Sequence, residues 1–244
     1  MRRNGCWRGW HVSTPGSAAD MKLSVVIPML NEAAQLPELF AHLLPLCRAG
    51  CEIIFADGGS TDGSDKLAEI AGFAVVKAAR GRARQMNEGA LQASGDVLLF
   101  LHADTRLPQG APHHVVRALK EGACCWGRFD VCIFGRPFML RVVSQMMNWR
   151  SRLTGIATGD QAMFVRRDAF RQVGNFPLQP LMEDIELSKR LKEISPPACL
   201  TQCVTTSGRR WETHGVWHTI FLMWRLRWAY WRGVNAEVLA GLYR

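Results

Sequence analysis

The sequence predicts an α/β fold, a doubly wound and mostly parallel sheet flanked by helices, and three observations carry that reading. Short Val/Ile/Leu-rich runs alternate with segments of helical spacing from residue 23 to 121, the pattern of successive βαβ units. The runs are apolar at consecutive positions, which marks strands buried on both faces. Polar residues cluster directly after each run, at the carboxyl edge where ligands sit in such sheets.

The elements follow in order. Strands are expected at 23–28, 52–56, 73–78 and 97–102, and helices at 33–47, 62–71, 82–93 and 111–121. Beyond residue 122 the alternation breaks down into a strand at 124–134, an amphipathic stretch at 138–153 and a strand-like 161–165. A charged helix beginning near Glu183, a short strand around 200–205 and a C-terminal amphipathic helix at 217–231 complete the set. Residues 1–20 hold Gly, Ser, Thr, Pro and Arg without periodicity and read as a disordered tail, with Met21 standing before the first strand. The expected division is a tail at 1–20, a catalytic-sized domain at 21–212 and an aromatic, basic helical tail at 213–244.

Composition sets the class. Hydrophobic residues at 48% and charged residues at 21% exclude a disordered chain, a rod and a polytopic membrane protein. Lys and Arg outnumber Asp and Glu by 30 to 21, a net +9 that suits phosphate, nucleotide, nucleic acid or an anionic membrane. The 8 cysteines include no CxxC pair and no His at zinc-finger spacing, so they read as reduced, mostly buried thiols. The Arg-rich start lacks an apolar signal-peptide core, and no window approaches the roughly 18 apolar residues of a spanning helix. A cytoplasmic protein, peripheral if it meets a membrane, is the expectation.

Four strand ends hold the chemistry. After the first come Pro28, Asn31 and Glu32. After the second, Asp57-Gly58-Gly59-Ser60-Thr61-Asp62-Gly63-Ser64 offers a carboxylate to a nucleoside base, although an ordinary glycine-rich turn explains the segment equally well. After the third, Arg80, Arg82 and Arg84 open a helix, where guanidiniums and free N–H groups act on the same anion; a solvated basic helix start is the plainer alternative. After the fourth, His102 and Asp104 fall on one side of an extended backbone: Asp104 offers a hard oxygen to Mn²⁺ or Mg²⁺, and His102 suits manganese as a ligand, a substrate contact to ribose, or a bond to its own neighbours equally well. Neither a Walker A motif nor a GxGxxG follows the first strand, against NTPase and dinucleotide chemistry.

Taken together, Ser24-Val25-Val26-Ile27-Pro28 with Asn31-Glu32, the DGGSTDGS segment, His102-Ala103-Asp104, Glu183-Asp184 and Arg209-Arg210-Trp211 resemble the family-2 glycosyltransferases of the GT-A fold. The likeness runs in order from about residue 22 to 212. It implies that Pro28, Glu32 and Asp57 cradle the base of a nucleotide-sugar donor, while Arg80 and Arg84 lie on the diphosphate side. Asp104 would hold the divalent cation, with His102 standing where the family's DxD motif has its first Asp. Asp160, in Gly159-Asp160-Gln161, would line the donor sugar and acceptor, and Asp184 matches the family's catalytic base. Arg209, Arg210 and Trp211 resemble a shortened (Q/R)xxRW element closing over the diphosphate. In mechanism, the cation and Arg210 offset negative charge on the departing diphosphate, while Asp184 takes the acceptor's proton and the anomeric configuration inverts.

The tail suggests the acceptor. Trp217, Ile220, Phe221, Trp224, Trp228 and Trp231 fall on one helical stripe edged by Arg225 and Arg227, the pattern of a helix lying in an anionic membrane interface; packing on the sheet or a dimer partner fits the stripe as well. Phe138, Val142, Met146 and Trp149 offer a second surface helix. A lipid-linked or apolar acceptor at the cytoplasmic membrane face is therefore expected, similar to that of a compact family subgroup that glycosylates carotenoid acids and other lipids. Two alternatives compete. A sugar-nucleotidyltransferase would carry a Gly-rich, Arg-containing loop where Pro28-Met29-Leu30-Asn31-Glu32 stands. A non-catalytic basic module binding membrane or nucleic acid would leave the strand-end carboxylates without a purpose, and no nucleic-acid partner is expected.

Overall fold

The computed structural model describes residues 21–243. The tail expected at 1–20 lies outside the described residues. An eight-stranded sheet runs β3-β2-β1-β4-β7-β6-β8-β5, where β1 is Leu23–Met29, β2 Glu52–Asp57, β3 Ala74–Lys77, β4 Val97–Phe100, β5 Thr105–Arg106, β6 Trp126–Phe134, β7 Phe164–Arg166 and β8 Ala198–Ser207. Strands β1 to β4 pair parallel, as do β6 and β8, whereas β7 enters antiparallel between β4 and β6, and β5 pairs antiparallel with β8. The sheet is thus mixed but mostly parallel.

The helices are α1 (Leu36–Arg48), α2 (Ser64–Ile70), α3 (Arg82–Gln92), α4 (Ala111–Glu121), α5 (Met139–Thr154), α6 (Arg167–Gln172), α7 (Glu183–Lys192), α8 (Arg209–His214), α9 (Val216–Trp231) and α10 (Ala236–Leu242). One face of α1 buries Leu36, Leu39, Leu43 and Leu46, spaced by three and four, against the sheet. Each such side chain contributes about 1.5–3 kcal/mol by leaving water. Phe40, Phe55 and Phe73 pack edge-on or tilted with centroids 5.0–5.8 Å apart, tying α1 to β2 and the approach to β3.

On the opposite face, α3 lies close because position 89 is glycine: a Cβ there would meet Val26 Cγ1 at 2.5 Å. The buried Gln85 amide then donates to the carbonyls of Met29 at 2.7 Å and Ala56 at 2.9 Å, fixing the start of α3 at the ends of β1 and β2. Arg128, fully buried in β6, donates through Nη1 to Asp130 and through Nη2 to the Asn148 carbonyl at 3.2 Å, and Arg152 of α5 reaches Asp130 at 2.6 Å. This ion triad holds α5 against the sheet.

The C-terminal helix α9 forms, but it does not divide into an apolar and a polar side. Its inner side packs Leu222, Met223 and Leu226 with Met182 and Ile185 near the start of α7 and Leu239 of α10. Its outer side displays Trp217, Phe221, Trp224, Trp228 and Trp231, each at least 60% exposed. Arg227, expected beside the stripe as a lipid-facing cation, instead turns toward the carboxyl edge of the sheet, because the inner side of α9 packs over that edge.

Candidate active site

A cleft of about 620 Å³ opens at the carboxyl edge of the sheet. Of the residues singled out from sequence, Pro28, Glu32, Arg80, His102, Asp104, Asp160, Asp184, Arg209, Arg210 and Trp211 all line it. Asp57 and Arg84 do not. Asp57 is buried at the end of β2, where its carboxylate accepts the Gly59 N–H at 3.2 Å and the Ser60 N–H at 3.1 Å and pairs with Lys77 at 3.3 Å. Arg84 is exposed, because the turn of α3 that presents Arg82 and Gln85 to the cleft points position 84 away.

The loops after β1 and β2 brace one another. Asn31, held at φ +55°, receives the Thr61 N–H on its side-chain oxygen at 2.8 Å and gives its own N–H to the Ser60 hydroxyl at 3.0 Å. Asp62 accepts the Ala33 N–H at 2.9 Å, and the Ser64 hydroxyl accepts the Glu32 N–H at 2.9 Å. Glu32 stands on the cleft wall, where burial and then the neighbouring Asp104 carboxylate lift its pKa, with Arg209 opposing them.

At the start of α3, Gly81 precedes the helix without any side-chain cap, leaving first-turn N–H groups free, and Arg80, Gly81 and Arg82 line the cleft there. Arg82 lies 3.9 Å from the buried Glu183. Desolvation works against its charge, but Glu183, Asp160, Tyr243 and Asp184 outweigh it and raise its pKa.

The far wall is the start of α7. Met182 precedes it at φ +65°, a left-handed conformation costing a non-glycine residue about 1 kcal/mol or more. That turn presents Glu183 inward and Asp184 to the cleft. Burial and then Asp184 raise the Glu183 pKa. Asp184 accepts the Gly159 N–H at 2.8 Å on one oxygen and the Ile185 N–H at 2.7 Å on the other, which fixes the carboxylate plane and leaves each oxygen a further lone pair.

His102 sits 3.4 Å from Asp160 through Nδ1, while its Nε2 is buried without a partner against Gly159, where a Cβ would lie 2.6 Å from the ring. The histidine therefore braces the Gly159–Asp160 turn. Burial pushes the Asp160 pKa up, but the His102 hydrogen bond and the fields of His102, Arg82 and Arg227 overcome it and leave the carboxyl below its usual range.

Among the described residues, no three His, Cys, Asp or Glu side chains assemble a ready-made metal cage. The residues present nonetheless fit a divalent cation bound largely by a ligand's own oxygens. Asp104 is half-buried on the wall with one oxygen on the Thr105 hydroxyl at 3.2 Å, and its charge already strains Glu32. A single carboxylate completed by phosphate and water is a usual way to hold Mg²⁺ or Mn²⁺.

Three titratable wall residues went unassigned from sequence. Glu183 was noted only as part of the Glu-Asp motif, and Arg227 as a lipid-facing flank. Tyr243 carried no signal at all. Its ring covers the Arg210 guanidinium at 3.7 Å and its carbonyl accepts from Arg210 Nη2 at 3.2 Å.

Known proteins share the fold and the family of this chain. The chain is 34% identical over 146 residues to an undecaprenyl-phosphate 4-deoxy-4-formamido-L-arabinose transferase of Pseudomonas paraeruginosa, covering 55% of this chain and 41% of the relative. The Proteus mirabilis protein of the same name is 28% identical over 162 residues, covering 59% and 48%. The chain thus spans about half the length of these curated relatives. In fold it matches S. aureus TarS, solved also with UDP-GlcNAc, with TM-score 0.60 at 17% identity over 77% of this chain and 61% of that one. It also matches a Pyrobaculum calidifontis mannosyltransferase in complex with GDP-Man and Mn²⁺, with TM-score 0.59 at 19% identity over 91% of this chain and 64% of that one. The glycosyl transferase family 2 model matches residues 24–174, well over half the chain, and the protein belongs to that family.

Proposed function

We propose that this protein transfers a sugar, with inversion, from a nucleoside diphosphate sugar to a lipid-linked or otherwise apolar acceptor at the cytoplasmic face of a membrane. One observation carries the reading: a single cleft gathers Asp104 and four arginines, Arg80, Arg82, Arg209 and Arg210, with the oriented carboxylate of Asp184. Leaving-group chemistry needs positive charge placed before the bond breaks, and the cluster supplies it. Asp104 would hold a divalent cation, which when bound neutralises diphosphate charge. Arg80, Arg82 and the uncapped start of α3 would receive the phosphates, while Pro28 and Glu32 flank the base. Arg209 and Arg210 would close from the other side. Asp184 would accept the proton of a hydroxyl acceptor, its plane fixed by the Gly159 and Ile185 N–H groups.

The names of the relatives, which couple a sugar to undecaprenyl phosphate, support a lipid acceptor. So does the exposed aromatic side of α9, together with Phe138, Val142, Met146, Trp149 and Leu153 exposed on and beside α5. Indoles and guanidiniums are the side chains that settle at headgroup depth. No helix of the described residues is long and apolar enough to cross a membrane, so the proposed attachment is by this surface. The test is incubation with a panel of UDP- and GDP-sugars, Mn²⁺ and total membrane lipid. A lipid heavier by one sugar residue is the expected product; donor binding without transfer to any lipid or soluble acceptor would defeat the proposal.

A further inference from the structure

Two N–H groups hold Asp184, and they are not equivalent. The Ile185 N–H belongs to the same helix and moves with the carboxylate, whereas the Gly159 N–H, at 2.8 Å, ties it to a turn 25 residues away. What places Gly159 is His102. The ring stands where a Cβ on Gly159 would be, with Cε1 and Nε2 each 2.6 Å from that position, and its Nδ1 lies 3.4 Å from Asp160. Gly159 is not at positive φ, so its backbone does not itself call for glycine; the ring is what excludes a side chain there. The far side of the turn is locked separately, by the Thr158 N–H on the Gln161 side-chain oxygen at 3.2 Å and the Ala157 N–H on Ser188 at 3.1 Å. A void of only about 10 Å³ is shared by His102, Gly159, Met163, Glu183 and Asp184, so little slack separates the ring from the carboxylate.

We infer that His102 is a positioning residue for transfer: it sets the Gly159–Asp160 turn and, through the Gly159 N–H, the plane of Asp184, an assignment that rests on Asp184 acting as the base proposed above. Neither ring nitrogen is then left for a cation at Asp104. Nδ1 faces Asp160, and Nε2 is buried against Gly159 with no hydrogen-bond partner among the described residues.

The arrangement links the two halves of the reaction mechanically. His102 follows β4 two residues before Asp104, so a side chain at the strand end proposed to hold the cation also orients the group proposed to take the proton. A reacting group displaced by about 1 Å can lose roughly a hundredfold in rate, so a loosened turn would be felt in turnover rather than in donor binding.

The experiment uses the full chain with Mn²⁺, the UDP- or GDP-sugar it binds most tightly and a hydroxyl acceptor that it glycosylates. His102→Ala should lower kcat roughly tenfold or more, leave the dissociation constants of donor and Mn²⁺ unchanged, and speed exchange of the Gly159 amide proton by a similar factor. In an Asp184→Asn background the same change should cost no more than about twofold, because both act on one hydrogen bond. Gly159→Ala should lower kcat beside His102 yet add nothing to His102→Ala, where the missing ring frees the space. His102→Asn, a second variant that keeps a donor near the place of Nδ1, should fall between wild type and His102→Ala in both kcat and Gly159 exchange. A rise of roughly tenfold in either dissociation constant, losses that multiply with Asp184→Asn, or unchanged Gly159 exchange would each overturn the positioning role and leave transfer standing. Failure of the wild type to bind any nucleotide sugar would bring down the transferase reading, while Gly159 exchange would still test the link from His102 to Asp184 by itself.

Discussion

The loops that follow β1 and β2 spend their polar groups on one another: Asn31, Asp57, Asp62 and Ser64 all accept backbone N–H groups of these two loops. The side of the cleft built by α7 and α9 is less self-contained. There Glu183 is buried near Asp184, and Met182 is held at positive φ, which costs a methionine more than it costs Asn31 of the first wall. Satisfied polar loops rigidify a site, whereas strain and unpaired charge persist only where surrounding structure enforces them. On the proposed reading, the first wall is finished before any ligand arrives and would suit the constant part of the reaction, the nucleoside of the donor, while the second would be completed by the acceptor.

Four measurements break or sharpen that contrast, from the largest effect down. Asp104→Ala should cut turnover by about a thousandfold or more with every acceptor, since it removes charge from the step all transfers share; retained activity in a steady-state assay would end the cation assignment. Asp184→Asn should act selectively, costing roughly a hundredfold or more with hydroxyl acceptors and little with those that arrive ionised. Equal losses for both classes would show that Asp184 serves the donor instead.

The third measurement concerns stability. Asp130→Ala strands Arg128 inside β6 and should cost about 3–5 kcal/mol, a fall in Tm of roughly 6–20 °C. A change of only a few degrees would mean that Asn148 alone satisfies the buried guanidinium.

The fourth and smallest contrast is one of sign. Burial opposes the charge of Glu52, but hydrogen bonds from Ser24 and Ser94 prevail and hold its pKa below the ordinary carboxyl value, so its ionised form stabilises the fold above about pH 4.5 and that contribution fades as pH falls. Glu183, with its pKa raised by burial and Asp184, binds its proton more tightly when folded, so stability declines as pH rises past the same point. Glu52→Gln should therefore lower Tm at pH 7 and Glu183→Gln should raise it, each by the equivalent of under about 1 kcal/mol, and both differences should close in acid. Shifts of the same sign in thermal melts across pH would erase the distinction between the carboxylate held at the amino edge of the sheet and the one buried in the cleft wall.

The sequence made the first wall readable because its signals are local. Consecutive apolar positions mark β1, β2 and β4, and the residues just after them, Glu32 and Asp104, reach the cleft as a parallel sheet requires. What stayed hidden depends on contacts distant in sequence. The antiparallel insertion of β7 beside β4 and the two-residue β5 have no period long enough to register. Asp57 looked like a free ligand because the capture of its carboxylate by Gly59 and Ser60 is decided by loop geometry. Arg227 lies on a helix that is apolar nearly all round, so periodicity alone cannot say which way it turns. Tyr243 meets Arg210 only because the chain reverses after α9, at Gly233 with φ +87°, and brings α10 back to the cleft.

That last contact couples two otherwise separate events. The Tyr243 ring occupies one flat side of the Arg210 guanidinium and the Tyr243 carbonyl takes one of its nitrogens, so a diphosphate bound as proposed would share Arg210 with the end of α10. Whatever strengthens one hold alters the other by the same free energy, in either direction. Amide exchange along residues 236–242 would therefore be a remote gauge of whether the proposed pyrophosphate pocket is filled, legible without following any sugar at all.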